Sequence, residues 1–272
     1  MNLNQKSVAI LYVCTGQYVV FWKEFYESSE KYLLGDGFRI EYFVFTDAVS
    51  VYDSDINERI HIIEQKNLGW PGNTLMRYDM FWRRHKLLED FDYIFFMNSH
   101  AEFVSKINAD DILPEDDEIV AVQHPGTLTT HKYLLPYERN KKSTAYIPYE
   151  DGTVYVAGGI NGGTDRAFLK MTKVLKERID KDLNNGLVAV WHDESQFNRY
   201  ICYDTESRIL SPSFCYPEGW TLSYKPIILI REKSRYFNVK KVKKNSASII
   251  LSGIKRHAVY ASLIIRDAFR GR

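Results

Sequence analysis

Three runs of strand length in this chain, Ser7–Val13, Ile40–Thr46 and Asp92–Met97, are apolar almost without interruption. A strand with one wet face alternates apolar and polar residues. A continuous run has to be covered on both faces, which points to a parallel sheet with helices on either side. After the first run, Cys14-Thr15-Gly16-Gln17-Tyr18 reads as a turn. Helical spacing then takes over through Phe21, Trp22, Phe25, Ser29 and Leu33 and stops at Gly35-Asp36-Gly37. Strand, tight turn and helix form the opening unit of a nucleotide-binding α/β domain. The loop has neither the spaced glycines of a dinucleotide fingerprint nor the Gly-Lys-Ser/Thr of a P-loop, so a bound nucleotide is held in some other way.

Further along, Ile60–Glu64 gives a short strand and Asn67–Asn73 carries turn chemistry. Thr74 is placed to cap one helix bearing Leu75, Tyr78, Phe81, Trp82 and His85. Arg77 falls on the opposite side of that helix from the apolar stripe, within reach of a phosphate or simply exposed. The third apolar run ends in Asn98-Ser99-His100. Polar residues at the carboxyl end of a central strand lie where α/β sheets bind ligands, although a strand end with no role reads the same way. Asn is a weak neutral metal ligand and His a soft one, so Asn98 and His100 make a poor site for Mg²⁺ or Mn²⁺ but good hydrogen-bonding partners.

Ile119–Gln123 is another strand, leading to His124-Pro125-Gly126. The polar stretch from His131 to Glu150 has the length of a functional loop and is a candidate lid. Thr153–Ala157 is expected as a strand. The glycines of Gly158-Gly159-Ile160-Asn161-Gly162-Gly163 then allow either close approach to a ligand or a tight turn into a helix that begins near Asp165. In Trp191-His192-Asp193-Glu194-Ser195, the spacing of Phe197, Tyr200 and Ile201 starts a short helix near Asp193. Asp193 and Glu194 therefore occupy its first turn, at the edge of a core, where burial and helix amides tune a nucleophile or a base. Acids also favour the first turn of any helix.

Composition narrows the class further. Cys14, Cys202 and Cys215 are odd in number and lie in apolar or aromatic runs, so they read as buried thiols of a reducing compartment. No leader opens the sequence and no run has the length of a bilayer-spanning helix, so a soluble, cytoplasmic protein is expected. The net charge of +1 hides an asymmetry: residues 231–272 hold 12 Lys/Arg against 2 acids, leaving 24 against 33 for residues 1–230. The expected division is a catalytic domain over residues 1–238 and a basic amphipathic extension over 239–272. In that extension Lys240-Lys241-Val242-Lys243-Lys244 leads into Ile249, Ile250, Ile254, Ala258, Ile265 and Ala268. Such a helix suits an anionic membrane surface at the inner face of the membrane, or packing on the domain or a second subunit. It lacks the interleaved aromatics of a nucleic-acid stacking surface.

Seven motifs stand in order: Asn98-Ser99-His100, His124-Pro125-Gly126, Tyr137-Glu138-Arg139, Ala145-Tyr146-Ile147-Pro148, Ala157-Gly158-Gly159, Trp191-His192-Asp193-Glu194-Ser195 and Leu210-Ser211-Pro212. Together, over about Val8 to Lys233, the chain resembles glycosyltransferase family 6, the family of the blood-group A and B transferases, the α1,3-galactosyltransferases and their bacterial relatives. The resemblance implies the GT-A fold, a Rossmann-like α/β domain on one mixed sheet. It also implies retaining transfer of galactose or N-acetylgalactosamine from a UDP-sugar to the 3-hydroxyl of a β-galactoside, with a fucosylated one the expected acceptor.

By the same resemblance Val13 and Tyr18 hold uracil and ribose, Arg77 lies near the donor, and Asn98 and His100 replace two metal-binding aspartates. Gly158 lies between Ala157 and Gly159, which match the pair that sorts galactose from its N-acetyl analogue. Asp193 matches a donor-sugar contact, His124 and Trp191 match acceptor contacts, and Glu194 matches the proposed nucleophile. Small residues at 157 and 159 leave room for an acetamido group and favour UDP-GalNAc. The missing acidic pair implies catalysis without metal, with Arg231, Lys233 or Arg77 as cationic partners of the diphosphate. The alternatives are a galactosyltransferase using UDP-Gal, or a catalytically silent sugar-binding protein on the same fold.

Overall fold

A computed structural model describes residues 5–238 and 261–264. Its elements are β1 (Lys6–Val13), α1 (Trp22–Tyr32), β2 (Phe38–Thr46), β3 (Ile60–Glu64), α2 (Gly69–Leu75), α3 (Arg77–Trp82), β4 (Tyr93–Met97), β5 (Ala101–Phe103), α4 (Ala109–Ile112), β6 (Ile119–Gln123), β7 (Val156–Thr164), α5 (Asp165–Asn184), α6 (Asp193–Tyr203), β8 (Ser207–Leu210), β9 (Tyr216–Pro217) and β10 (Ile228–Ile230). Seven strands form one mixed sheet in the order β3-β2-β1-β4-β7-β6-β8, and β5-β10-β9 form a small second sheet. β7 alone runs antiparallel to its neighbours β4 and β6.

The continuous apolar runs are explained by two cores. Val8, Ile10 and Tyr12 of β1 pack with Trp22 and Phe25 of α1 and with Phe103 and Ile228 of the small sheet. Ala9 and Leu11, pointing the other way, pack with Tyr78 and Phe81 of α3, Phe168 and Leu175 of α5, and Phe197 of α6. Since β7 is reversed, its first residues meet the carboxyl ends of β1, β4 and β6 along one edge of the sheet. Asn98, His124 and the residues after Val13 converge there.

Three expectations are corrected. Of the two readings of the glycines at 158–163, the tight turn gives way to the body of β7, which runs to Thr164 and supplies the cap of α5 through the Thr164 hydroxyl. The glycines serve packing within the sheet: a Cβ on Gly162 would lie 2.1 Å from Phe95 Cδ1. The single helix expected from Thr74 is two, α2 and α3, joined at Met76 (φ −91°, ψ 10°), and α2 begins at Gly69 inside the stretch read as a turn. The candidate lid is fastened down. Leu135, Tyr137, Ile147 and Tyr155 form a small core of their own. The buried Glu138 carboxylate accepts from the amides of Asn140 and Val190, and Asp182 of α5 accepts from the Ser143 hydroxyl and the Thr144 amide.

Cys14, Cys202 and Cys215 are free thiols. Among the described residues no helix is long and apolar enough to cross a membrane. Most of the basic extension lies outside the described residues; Ala261–Ile264 are helical, with Leu263 buried.

Candidate active site

The site begins with an irregularity in the sheet. Between β6 and β7 the register jumps from Ala121↔Asn161 to Val122↔Ala157, so residues 158–160 drop out of the β6 ladder. Backbone groups released from a ladder need other partners. The Gly158 amide donates to Glu194 Oε2 (2.8 Å), and the Gly158 carbonyl accepts from Arg77 Nη1 (2.8 Å) and Asn161 Nδ2 (3.2 Å). One residue, through the two peptides that flank it, thus joins β7 to both α3 and α6.

α6 is docked on β7 by Asn198, one turn after Glu194. Its side chain accepts from the Val156 amide and donates to the carbonyls of Val156 and Glu194, each at 2.9 Å. The helix starts at a reversal, with His192 at φ 55°, ψ −124°, a conformation non-glycine residues rarely adopt. The His192 ring lies edge-on to the exposed Trp70, centroids 5.4 Å apart. Of the paired acids, Asp193 is 1% exposed and meets Arg77 Nη1 at 3.0 Å. Burial pushes its carboxyl up to about 6, against the pull of the Arg77 guanidinium. That guanidinium also lies over the Phe96 ring, 4.1 Å from its centroid.

These groups line a cavity of about 850 Å³ that also takes in Val13, Tyr18, Asn98, Gly159, Trp191 and Lys233. A Cβ on Gly159 would come within 3.0 Å of Asn98 Nδ2, so this wall has no spare room on the Asn98 side. Lys233 Nζ is 5.3 Å from the Tyr18 ring centroid; burial and the neighbouring Arg77 hold its ammonium below the ordinary lysine range.

Ten of the residues singled out from sequence therefore face one space: Val13, Tyr18, Arg77, Asn98, Gly158, Gly159, Trp191, Asp193, Glu194 and Lys233. Arg77 is buried in an ion pair there rather than exposed on its helix. Four others do not line the cavity. Ala157 is buried in the sheet. His100, between β4 and β5, is buried, its Nδ1 without a hydrogen-bond partner, and burial, then Lys233 and Arg77, hold its ring well below the usual histidine range. His124 follows β6, with its Nδ1 accepting from the Gly126 amide and its ring 5.9 Å from that of Tyr155. Arg231 is turned away into the carboxylates of Glu102, Glu24 and Glu218. Tyr155, whose hydroxyl reaches Glu194 Oε1 at 2.7 Å, gives no signal in the sequence. Asn198 gives one, a helical spacing of four from Glu194.

The description "Glycosyltransferase family 6" matches residues 2–246. The chain is similar to the O-antigen biosynthesis glycosyltransferase WbnI of Escherichia coli, 32% identical over 237 residues that cover 86% of this chain and 99% of that protein. It is similar also to histo-blood group ABO system transferase 1 of Rattus norvegicus, 28% identical over 249 residues, 88% of this chain and 68% of the relative. Globoside alpha-1,3-N-acetylgalactosaminyltransferase 1 of Gallus gallus is 27% identical over 223 residues, 78% of this chain and 62% of the relative.

Proposed function

This chain belongs to glycosyltransferase family 6 and has its GT-A-like single-domain fold, and from that premise we propose that it moves N-acetylgalactosamine from UDP-GalNAc, with retention, to the 3-hydroxyl of a β-galactoside, without a divalent cation. The observation that carries this reading is the presentation of Glu194 at the cavity, both carboxylate oxygens held by neutral donors while the adjacent acid, Asp193, takes up Arg77. A carboxylate oriented but left without a cation keeps the charge needed to meet an electron-poor sugar carbon.

In this mechanism the bond between the anomeric carbon and the diphosphate oxygen breaks, and its electron pair leaves with UDP. Glu194 either forms a bond to the anomeric carbon, displaced in turn by the acceptor hydroxyl, or stabilises the oxocarbenium-like sugar while that hydroxyl attacks on the departing face. As the acceptor oxygen bonds to the anomeric carbon its proton passes to the departing diphosphate oxygen, so the products are the glycoside and UDP. Val13 and Tyr18 hold the nucleoside, and His124 and Trp191 receive the acceptor. Lys233, on the cavity wall, answers the charge developing on the diphosphate. Arg231 is the weaker candidate, its charge being met by three glutamates. Lys233→Ala is accordingly expected to lower kcat/KM for the donor about tenfold or more, and Arg231→Ala less; equal losses remove the distinction.

Metal independence is supported by the donor set. Asn98 offers a carboxamide, and His100 is buried with two cations nearby, Lys233 and Arg77, which disfavour a third positive charge. The preference for UDP-GalNAc rests on the absence of a side chain at Gly159. The close Asn98 beside it favours the second reading, transfer of galactose from UDP-Gal. A silent sugar-binding protein has no use for a carboxylate held in this way. The basic extension is read as a contact with anionic lipid.

The test is UDP release from UDP-GalNAc and from UDP-Gal with 2′-fucosyllactose or lactose, in EDTA and in Mn²⁺. Turnover in EDTA with UDP-GalNAc is expected. Activity only in Mn²⁺ overturns the cation-free reading, and preference for UDP-Gal overturns the donor assignment. Glu194→Gln is expected to abolish most transfer and leave UDP binding intact.

A further inference from the structure

Tyr155 lies just ahead of β7, buried, and stands between two parts of the site. Its hydroxyl donates to Glu194 Oε1 at 2.7 Å, its carbonyl accepts from the His124 amide at 2.9 Å, and its ring faces that of His124 at 5.9 Å. Burial, then the charge of Glu194, holds its phenol far above the ordinary tyrosine range, so it remains a proton-bearing donor. The Tyr137 ring backs it at 5.4 Å, and the Tyr137 hydroxyl is tied to the Val154 carbonyl at 2.6 Å.

The Glu194 carboxylate has two oxygens and one rotatable plane. The Gly158 amide fixes one oxygen, and with that bond alone the plane can still swing about it. Tyr155 fixes the other. Among the described residues no cation pairs with Glu194, so its orientation depends on these two neutral donors. A cation here would hold the carboxylate as firmly but would quench the charge that the reaction uses.

We propose that Tyr155 is the positioning residue of Glu194: its hydroxyl sets the plane of the carboxylate toward the sugar, and its contact with His124 ties that orientation to the acceptor side. This rests on the glycosyltransfer reading above. Removing the hydroxyl leaves shape and packing in place, so the effect falls on chemistry rather than on binding.

The experiment compares wild type, Tyr155→Phe and Tyr137→Phe by steady-state transfer from UDP-GalNAc or UDP-Gal. It also reads the ¹³C resonance of the Glu194 side-chain carboxyl in glutamate-labelled protein, assigned by its loss in Glu194→Gln. The proposal expects kcat of Tyr155→Phe to fall about tenfold to a hundredfold, the loss of one hydrogen bond to a charged group, with both KM values within about twofold. The Glu194 carboxyl resonance moves in Tyr155→Phe and stays in Tyr137→Phe. An unchanged kcat, an equal loss in Tyr137→Phe, or a rise in KM alone overturns it. If wild type uses neither donor, the glycosyltransfer reading fails, and the carboxyl resonance still decides whether Tyr155 orients Glu194.

Discussion

Asp193 and Glu194 are neighbours in sequence with opposite treatments. Asp193 is sealed in and paired with Arg77, whereas Glu194 faces the cavity between two neutral donors. Because folding raises Asp193 from the ordinary 3.8 to about 6, the folded chain binds its proton more tightly than the unfolded chain. Its contribution to stability is full below about 3.8 and is lost as pH rises through about 6. Activity has the opposite sign, since the ion pair forms only when Asp193 ionises. Turnover is expected to rise with pH through about 6, and that limb is expected to vanish from the kcat profile of Asp193→Asn. A limb that persists in the variant assigns it to another group. The adjacent acids were legible as a pair from their place at a helix start. Their division of labour was not, because it depends on Arg77, more than a hundred residues away, turning inward.

The element that builds the site is β7, whose glycines admit two readings in the sequence, close approach to a ligand or a turn. Four glycines in six residues have the composition of a turn. They form a strand because Phe95 of β4 presses on the position of Gly162, where any Cβ would overlap its ring. Local composition carries no record of what lies across a sheet. Gly162→Ala is therefore expected to destabilise the fold by about 1–3 kcal/mol, read as a lower urea midpoint. Gly159→Ala meets the amide end of Asn98 instead and is expected to leave the midpoint within about 0.5 kcal/mol while shifting donor choice toward UDP-Gal. If both variants unfold at the same lowered midpoint, the separation of packing from selectivity along the strand is wrong. The continuous apolar runs of β1, β2 and β4, by contrast, were legible because burial on both faces writes itself into every residue.

At the scale of the molecule, the charge asymmetry sets a basic extension against an acidic body. Co-sedimentation with vesicles containing anionic lipid is expected to retain the whole chain and lose a 1–238 version; equal recovery of the two removes the lipid contact. The seven-stranded sheet frames the site, and the slipped register between β6 and β7 frees the amide of Gly158 for Glu194 and its carbonyl for Arg77. Selection for heat resistance alone would reward variants that close this gap, because each re-formed ladder bond adds to the sheet. A laboratory lineage improved only for ruggedness is thus expected to drift toward a tighter and inert protein, and keeping catalysis requires selecting for it at every round.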